Sequence, residues 1–365
     1  MKSKLYSIII ILTVGLVAFA LFTGYRSREV IIGTRAPAIQ SKNWVNARPL
    51  KWRELNGKIV LVDFWDYSCI NCIRAVPFLN GLHDKYAEYG LVIIGVHSPQ
   101  FEFARDPGEV LHNVEKLGIK YPVVTDNDFE IWKAYGNKYW PHKYLIDRNG
   151  IMVYDRVGES GHEILESEIR RLILSDNPDA DLPGIGDGYV DSNPLPQNNR
   201  PLTPELYLGY LRGHLGSTNG FVKNEPGVYR IPETINEGMF YINGEWTASE
   251  ESLSPAESGN LLENYVTFEY RAAGVNLIAD ASDKAWAHTP RIYILNDGCY
   301  ISADEAGNHI RFDSSGASYI EIDHSGPYNI IRHSDYDRHV LKVFNNNPGV
   351  QFYAFTFYSR TGDEV

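Results

Sequence analysis

The run Ile59-Val60-Leu61-Val62-Asp63-Phe64-Trp65 leaves the chain little choice of fold. Seven consecutive residues, apolar apart from one carboxylate, read as a strand covered on both faces. Such a strand needs helices on both sides of a largely parallel sheet. Leu91-Val92-Ile93-Ile94-Gly95-Val96 repeats the pattern, and the segment 73–89 between the two runs reads as a helix carrying Pro77. Val110, Leu111, Val114 and Leu117 recur at helical spacing, and a short strand over 121–124 and a short helix over 129–135 follow. Asn149-Gly150 between Tyr144-Leu145-Ile146 and Ile151-Met152-Val153-Tyr154 is a hairpin signal. Ile164, Leu165, Ile169 and Leu172 make one face of a closing helix. The expectation is an α/β domain over 29–175.

Composition shifts near Ser175. Residues 176–202 are rich in Pro, Gly, Asp and Asn and read as a linker. From 203 to 365, short apolar runs such as Tyr265-Val266-Thr267-Phe268 and Arg291-Ile292-Tyr293-Ile294-Leu295 recur between turn signals, which predicts an all-β sandwich. Residues 1–28 hold Lys2 and Lys4, an apolar run from Leu5 to Phe22, then Arg26 and Arg28. That run is long enough to cross a bilayer. The expectation is one N-terminal membrane helix with its N-terminus cytoplasmic; a cleaved signal ending at Ala18-Phe19-Ala20 is the rival reading. Either way the remainder leaves the cytoplasm. Lys plus Arg number 34 against 46 Asp plus Glu, a formal charge of −12. No nucleic-acid partner is expected, since nothing here would neutralise phosphates.

Cys69 and Cys72 are two of the chain's three cysteines. A structural zinc site needs two further ligands at suitable spacing, and His83 and His97 do not form a second knuckle, so no metal is expected. Two inert buried thiols are the bland alternative. Cys69, however, follows the end of a buried strand where a helix starts. Unpaired N–H groups and the helix dipole there stabilise a thiolate. Cys72 lies one turn later and can close a disulfide with it, so the outer thiol attacks and the inner one resolves. Asp63 should lie inside the sheet, where a carboxylate is costly and its pKa rises. It could take the proton of Cys72 as that thiol resolves; the bland reading is an ion pair with Lys58. Cys299, after Asn296-Asp297-Gly298, is expected as a buried core thiol.

Val62-Asp63-Phe64-Trp65, then Cys69-x-x-Cys72 and Pro77, resemble the signature of the thioredoxin superfamily, and the insertion near 98–118 resembles its TlpA-like branch. Phe64-Trp65-x-Tyr67-Ser68-Cys69-Ile70-Asn71-Cys72, Ala134-Tyr135-Gly136-Asn137-x-Tyr139-Trp140-Pro141 and Thr203-Pro204-Glu205-x-Tyr207-Leu208-Gly209 look like the extracytoplasmic part of DipZ-type thiol–disulfide interchange proteins. The resemblance implies a thioredoxin-like fold followed by a jelly-roll sandwich like a carbohydrate-binding module. It implies that Pro141 is a cis-proline facing the disulfide and that Trp140 offers backbone groups to a substrate chain; the bland reading of Trp140 is a packed aromatic. Trp65, Ile70 and Asn71 complete the expected substrate-binding set. Val76 stands where several TlpA-like reductases place Glu. One hydrophobic segment replaces the usual multi-helix membrane domain, so electrons would come from a separate membrane donor.

The expected function is that of an extracytoplasmic, membrane-tethered thiol–disulfide oxidoreductase, a reductant of protein disulfides in the cell envelope. It would need no cofactor beyond the Cys69–Cys72 disulfide. Two alternatives stay open: a glycan- or envelope-binding module with a vestigial redox domain, for which Trp246 and Trp286 would stack on sugar rings, and a thiol peroxidase. Against the latter, Trp65 and Asp66 occupy the stretch where such enzymes place Pro and Thr or Ser.

Overall fold

The computed structural model describes residues 32–186, 202–217, 219–257, 263–281 and 288–359. The expected membrane segment, most of the expected linker and Trp286 lie outside them. Among the described residues no helix is long and apolar enough to cross a membrane.

The first unit is α/β. Its strands are β1 (Ile59–Trp65), β2 (Leu91–His97), β3 (Val123–Thr125), β4 (His142–Ile146) and β5 (Met152–Val157). Its helices are α1 (Ile70–Tyr86), α2 (Pro107–Lys116), α3 (Glu130–Ala134) and α4 (His162–Asp176). Among the described residues the sheet runs β3-β2-β1-β4-β5, with β1, β2 and β3 parallel and β4 and β5 antiparallel. β1 is central and wholly buried. Its alternation divides the core. Ile59, Leu61 and Trp65 pack with Leu79 and Leu82 of α1 and Leu165 and Ile169 of α4. Val60, Val62 and Phe64 pack on the other face with Ile131 of α3 and Tyr135. Asp63 shares its face with Leu61 and Trp65, which puts it under α1. Ile164 departs from the expected apolar face. It is exposed, and Ile173 joins Leu165, Ile169 and Leu172 in the core instead; the buried stripe of α4 runs one position further round than the spacing suggested.

The second unit is all-β. Its strands are β6 (Leu206–Tyr207), β7 (Pro226–Tyr229), β8 (Phe240–Ala248), β9 (Leu253–Pro255), β10 (Tyr265–Ala281), β11 (Arg291–Asn296), β12 (Cys299–Tyr300), β13 (Arg311–Phe312), β14 (Ser318–Glu321), β15 (Gly326–Phe344) and β16 (Val350–Tyr358). Among the described residues these form one continuous hydrogen-bonded network. One edge of β10 follows β15, and its other edge pairs with β8 over Tyr265–Phe268 and with β16 over Gly274–Ala281. β9 links β8 to β16, so the network closes on itself around a core that includes Trp246, Phe268, Leu277 and Phe355.

Two expectations fail here. Trp246 is fully buried and its indole donates to the Asn243 carbonyl at 2.8 Å, so it is a core residue and offers no face to a sugar. Cys299 is exposed rather than buried. Asp297 and Gly298, both at positive φ, turn β11 back into the two-residue β12, which lies past the last buried side chain of β11, Asn296.

The units meet through the segment after β2. Phe101 packs with Ile70, Ile278, Tyr353 and Ala354. The Tyr353 ring lies 5.1 Å from that of Phe101 and 4.8 Å from that of Phe103, both edge-on. Gln100 Nε2 donates to the Tyr207 hydroxyl at 2.8 Å, and the Glu102 N–H donates to Glu251 at 2.7 Å. Edge-on aromatic pairs add about 0.5–1.5 kcal/mol each beyond area burial. Tyr353→Ala should therefore lower stability by about 3 kcal/mol and speed amide exchange through 99–105, measured by urea denaturation and hydrogen exchange; an unchanged exchange pattern would mean that these rings do not hold the seam.

Candidate active site

Cys69 is the N-cap of α1. The Cys72 N–H donates both to its sulfur at 3.3 Å and to its carbonyl at 3.0 Å, and Ile73 N–H donates to the same carbonyl at 3.0 Å. The two cysteines are disulfide-bonded, with Cα atoms 5.2 Å apart. Cys69 is 9% exposed and Cys72 1%, so the first sulfur is the more accessible of the two. The helix start faces the carboxyl end of β1, where its unpaired N–H groups favour negative charge on the first sulfur.

Asp63 stands opposite Lys143 of β4 in register, and the Lys143 ammonium lies 3.6 Å from its carboxyl; both side chains are buried. Loss of hydration pushes the Asp63 carboxyl up to about 6, with Lys143 opposing the rise. Burial pushes the Lys143 ammonium down, and the carboxyl opposite pulls it back. Lys143 takes the place expected for Lys58, which is exposed. Sequence distance hid this pairing: the partner lies on the antiparallel neighbour of β1.

Asp66 escaped the sequence reading. It is fully buried. It accepts from the Ser68 hydroxyl at 2.6 Å, the Ser68 N–H at 3.3 Å and the Gln100 N–H at 2.8 Å, and His97 Nε2 lies 3.0 Å away. Trp65 packs edge-on to the His97 ring at 5.3 Å and Tyr67 stacks on it at 5.5 Å. Trp65 is 1% exposed and packs in the same core cluster as Tyr67 and Cys69. The available signal was that one titratable residue, Asp66, directly follows the β1 run and another, His97, ends the β2 run.

Of the remaining expected residues, Asn71 is exposed, and Arg74 donates to its side-chain oxygen at 2.6 Å while holding Glu159 at 2.7 and 2.8 Å. The Trp140–Pro141 peptide is cis. The Trp140 indole donates to the Ser98 carbonyl at 2.8 Å and its ring lies 4.2 Å from that of Trp132. Pro141 is buried, and its carbonyl accepts from Gly158 N–H at 2.8 Å. Cys69, Ile70, Asn71 and Trp140 border a cleft of about 610 Å³. Its far wall belongs to the β unit: Thr203, Glu205, Tyr207, Arg212 and Phe357. The Arg212 guanidinium stacks on the Tyr207 ring at 3.8 Å and donates to the Gln100 carbonyl at 3.2 Å. Among the described residues no group of three or more His, Cys, Asp or Glu could hold a metal ion.

The Asp63 geometry carries a pH dependence. Its native carboxyl binds a proton more tightly than the unfolded one, so this group's contribution is full below about pH 4 and is lost as pH rises to about 6, a change on the order of 3 kcal/mol. Asp63→Asn should remove that slope from the oxidised protein, read as urea midpoints at pH 4, 5, 6 and 7; a slope that survives the substitution would assign it to another group.

The family model described as "AhpC/TSA family" matches residues 32–155, and that described as "Thioredoxin like C-terminal domain" matches residues 203–357. The chain is 32% identical over 238 residues to Protein DipZ of Mycobacterium tuberculosis, covering 64% of this chain and 33% of that protein. It therefore spans about a third of the length of that relative. It is 32% identical over 175 residues to the thiol-disulfide oxidoreductase ResA of Bacillus cereus, covering 47% of this chain and 98% of ResA. It is 31% identical over 132 residues to the thiol-disulfide oxidoreductase YkuV of Bacillus subtilis, covering 36% of this chain and 88% of YkuV.

Proposed function

The chain belongs to the thioredoxin-like thiol–disulfide oxidoreductases, and on that premise we propose that it is a reductant of protein disulfides outside the cytoplasm. The observation that carries this reading is the Cys69–Cys72 disulfide at the start of α1, with its outer sulfur beside an open cleft and its inner one buried. In the reduced protein the Cys69 thiolate attacks one sulfur of a substrate disulfide. That bond breaks, the other substrate sulfur leaves as a thiolate and takes a proton, and a mixed disulfide remains. Cys72 gives up its proton and attacks the Cys69 sulfur, which releases the second substrate thiol and closes Cys69–Cys72. Two electrons pass to the substrate, and a dithiol donor must return them. Asp63, on the face of β1 under α1 and held near 6, is the base suited to Cys72. No cofactor is needed besides the disulfide.

The donor is proposed to be a separate membrane protein, and the chain to be tethered by the apolar run of residues 1–28 with its catalytic unit, 29–175, facing the periplasm or the outside. Flanking basic residues and the length of the run support the tether. Of the segment 176–202, Asp176 ends α4 and residues 180–186 lie against the α/β unit, where the Tyr89 hydroxyl donates to the Asp181 carbonyl at 2.6 Å and Gly186 N–H to Glu166 at 3.0 Å, so the linker is proposed to start after them, and 203–365 is a jelly-roll module like those that bind carbohydrate. A depression of about 550 Å³, bordered by Tyr210, Asn224, Asp280 and Gln351 of this unit and by Glu102 and Phe103 of the α/β unit, offers polar groups and an aromatic ring to a glycan partner.

Cys72→Ser should accumulate the mixed disulfide, visible on non-reducing gels, and Cys69→Ser should lose all measurable disulfide reduction. Equilibration with dithiothreitol buffers should give a potential near the roughly −270 mV of thioredoxin; a value near about −120 mV would make the protein a donor of disulfides instead.

A further inference from the structure

The cleft at Cys69 does not end at Trp140. A second depression of about 460 Å³ adjoins it and shares Gln100, Lys138, Trp140 and Arg212 with it. Beyond that shared rim its walls are mostly apolar, with Phe101, Phe129 and Trp132 from the α/β unit and Leu211 from the β unit, and Arg105, Asn137 and Glu251 add polar groups at its border. Leu211 is 65% exposed at the border of this second depression. The rim itself is held in place. The Arg212 guanidinium lies over the Tyr207 ring at 3.8 Å and 5.0 Å from the centre of the Phe101 ring, and Trp140 is tied to Ser98.

We propose that the seam between the two units is a two-compartment groove for an extended, cysteine-bearing polypeptide segment, with the substrate disulfide in the compartment at Cys69 and a bulky apolar side chain of the same segment in the compartment of Phe129, Trp132 and Leu211. This rests on the reading of Cys69 as the attacking sulfur and adds what that sulfur selects. The β unit walls the first compartment opposite Cys69, which narrows the approach to the sulfur, and a strand with side chains alternating about every 3.3 Å can lie along such a seam. Continuity with the reactive cleft picks the occupant: whatever reaches Cys69 from this side passes Trp140 and Arg212, and the next surface it meets offers the Phe129, Trp132 and Leu211 side chains. The β unit is thereby a specificity element of the redox reaction.

The test uses the full chain and a series of synthetic peptides. Each carries one cysteine as a mixed disulfide with a small thiol in a Ser-Gly background, with a single Leu moved from one to five positions on either side of the cysteine. Reduction of glutathione disulfide is measured in parallel. At one or two positions Leu should raise kcat/KM about 10-fold over Ser, the low end for burying a leucine side chain. Leu211→Asp should bring that ratio close to one. Val228→Asp, a similarly exposed apolar residue of β7 away from the seam, should keep the wild-type ratio. A wild-type ratio near one at every position, or a ratio that survives Leu211→Asp, overturns the groove while leaving the oxidoreductase intact. Failure to reduce glutathione disulfide as well as every peptide would overturn the oxidoreductase reading itself, and the groove with it.

Discussion

The buried carboxylate of Asp66 is the constraint on which the rest of the site depends. Removing a carboxylate from water costs several kcal/mol unless hydrogen bonds replace the lost hydration. Here they are replaced by partners from three places: the turn that leads into Cys69, the last residue of β2, and the loop that docks the β unit. Ser68 is thereby fixed one residue before the reactive sulfur. Gln100 is fixed one residue before Phe101, whose ring packs against the second unit. One side chain sets both the entry into α1 and the position of the seam.

β1 separates structure from chemistry by alternation. Its Val60, Val62 and Phe64 face an apolar layer with α3. Its other face carries Asp63 between Leu61 and Trp65, under the helix that holds both cysteines. Asp63 and Lys143 are opposed across one ladder rung, and the desolvation that weakens the charge of each keeps the carboxyl suited to proton exchange. A hydrophobic pair of similar size could pack there at less cost, so the retained polarity points to use rather than to stability.

The α/β architecture and the disulfide were legible in the sequence because both are local. Strand burial shows as an unbroken apolar run, and a Cys-x-x-Cys after such a run already fixes its place at a helix start. What escaped was set by pairing across the fold. Lys143 meets Asp63 only through the β1–β4 register, and Arg212 comes to the cleft only because the β unit docks beside it. Trp246 and Cys299 misled for one common reason. Residue type suggests exposure or burial on average, whereas the closed strand network places an indole at its centre and a two-residue hairpin strand at its rim.

Ile70 lies between the two cysteines and is 4% exposed, buried against Ile278 and Ala354 of the second unit. The residue that must accommodate any local change between dithiol and disulfide is therefore also part of the contact between units. Thermodynamic linkage makes the consequence reciprocal. Any difference in docking free energy between the two oxidation states appears in the reduction potential, about 30 mV for each 1.4 kcal/mol. The grip of one unit on the other and the electron affinity of the disulfide are two readings of one equilibrium, so a substitution on the far side of the seam can retune the cysteines without touching either of them.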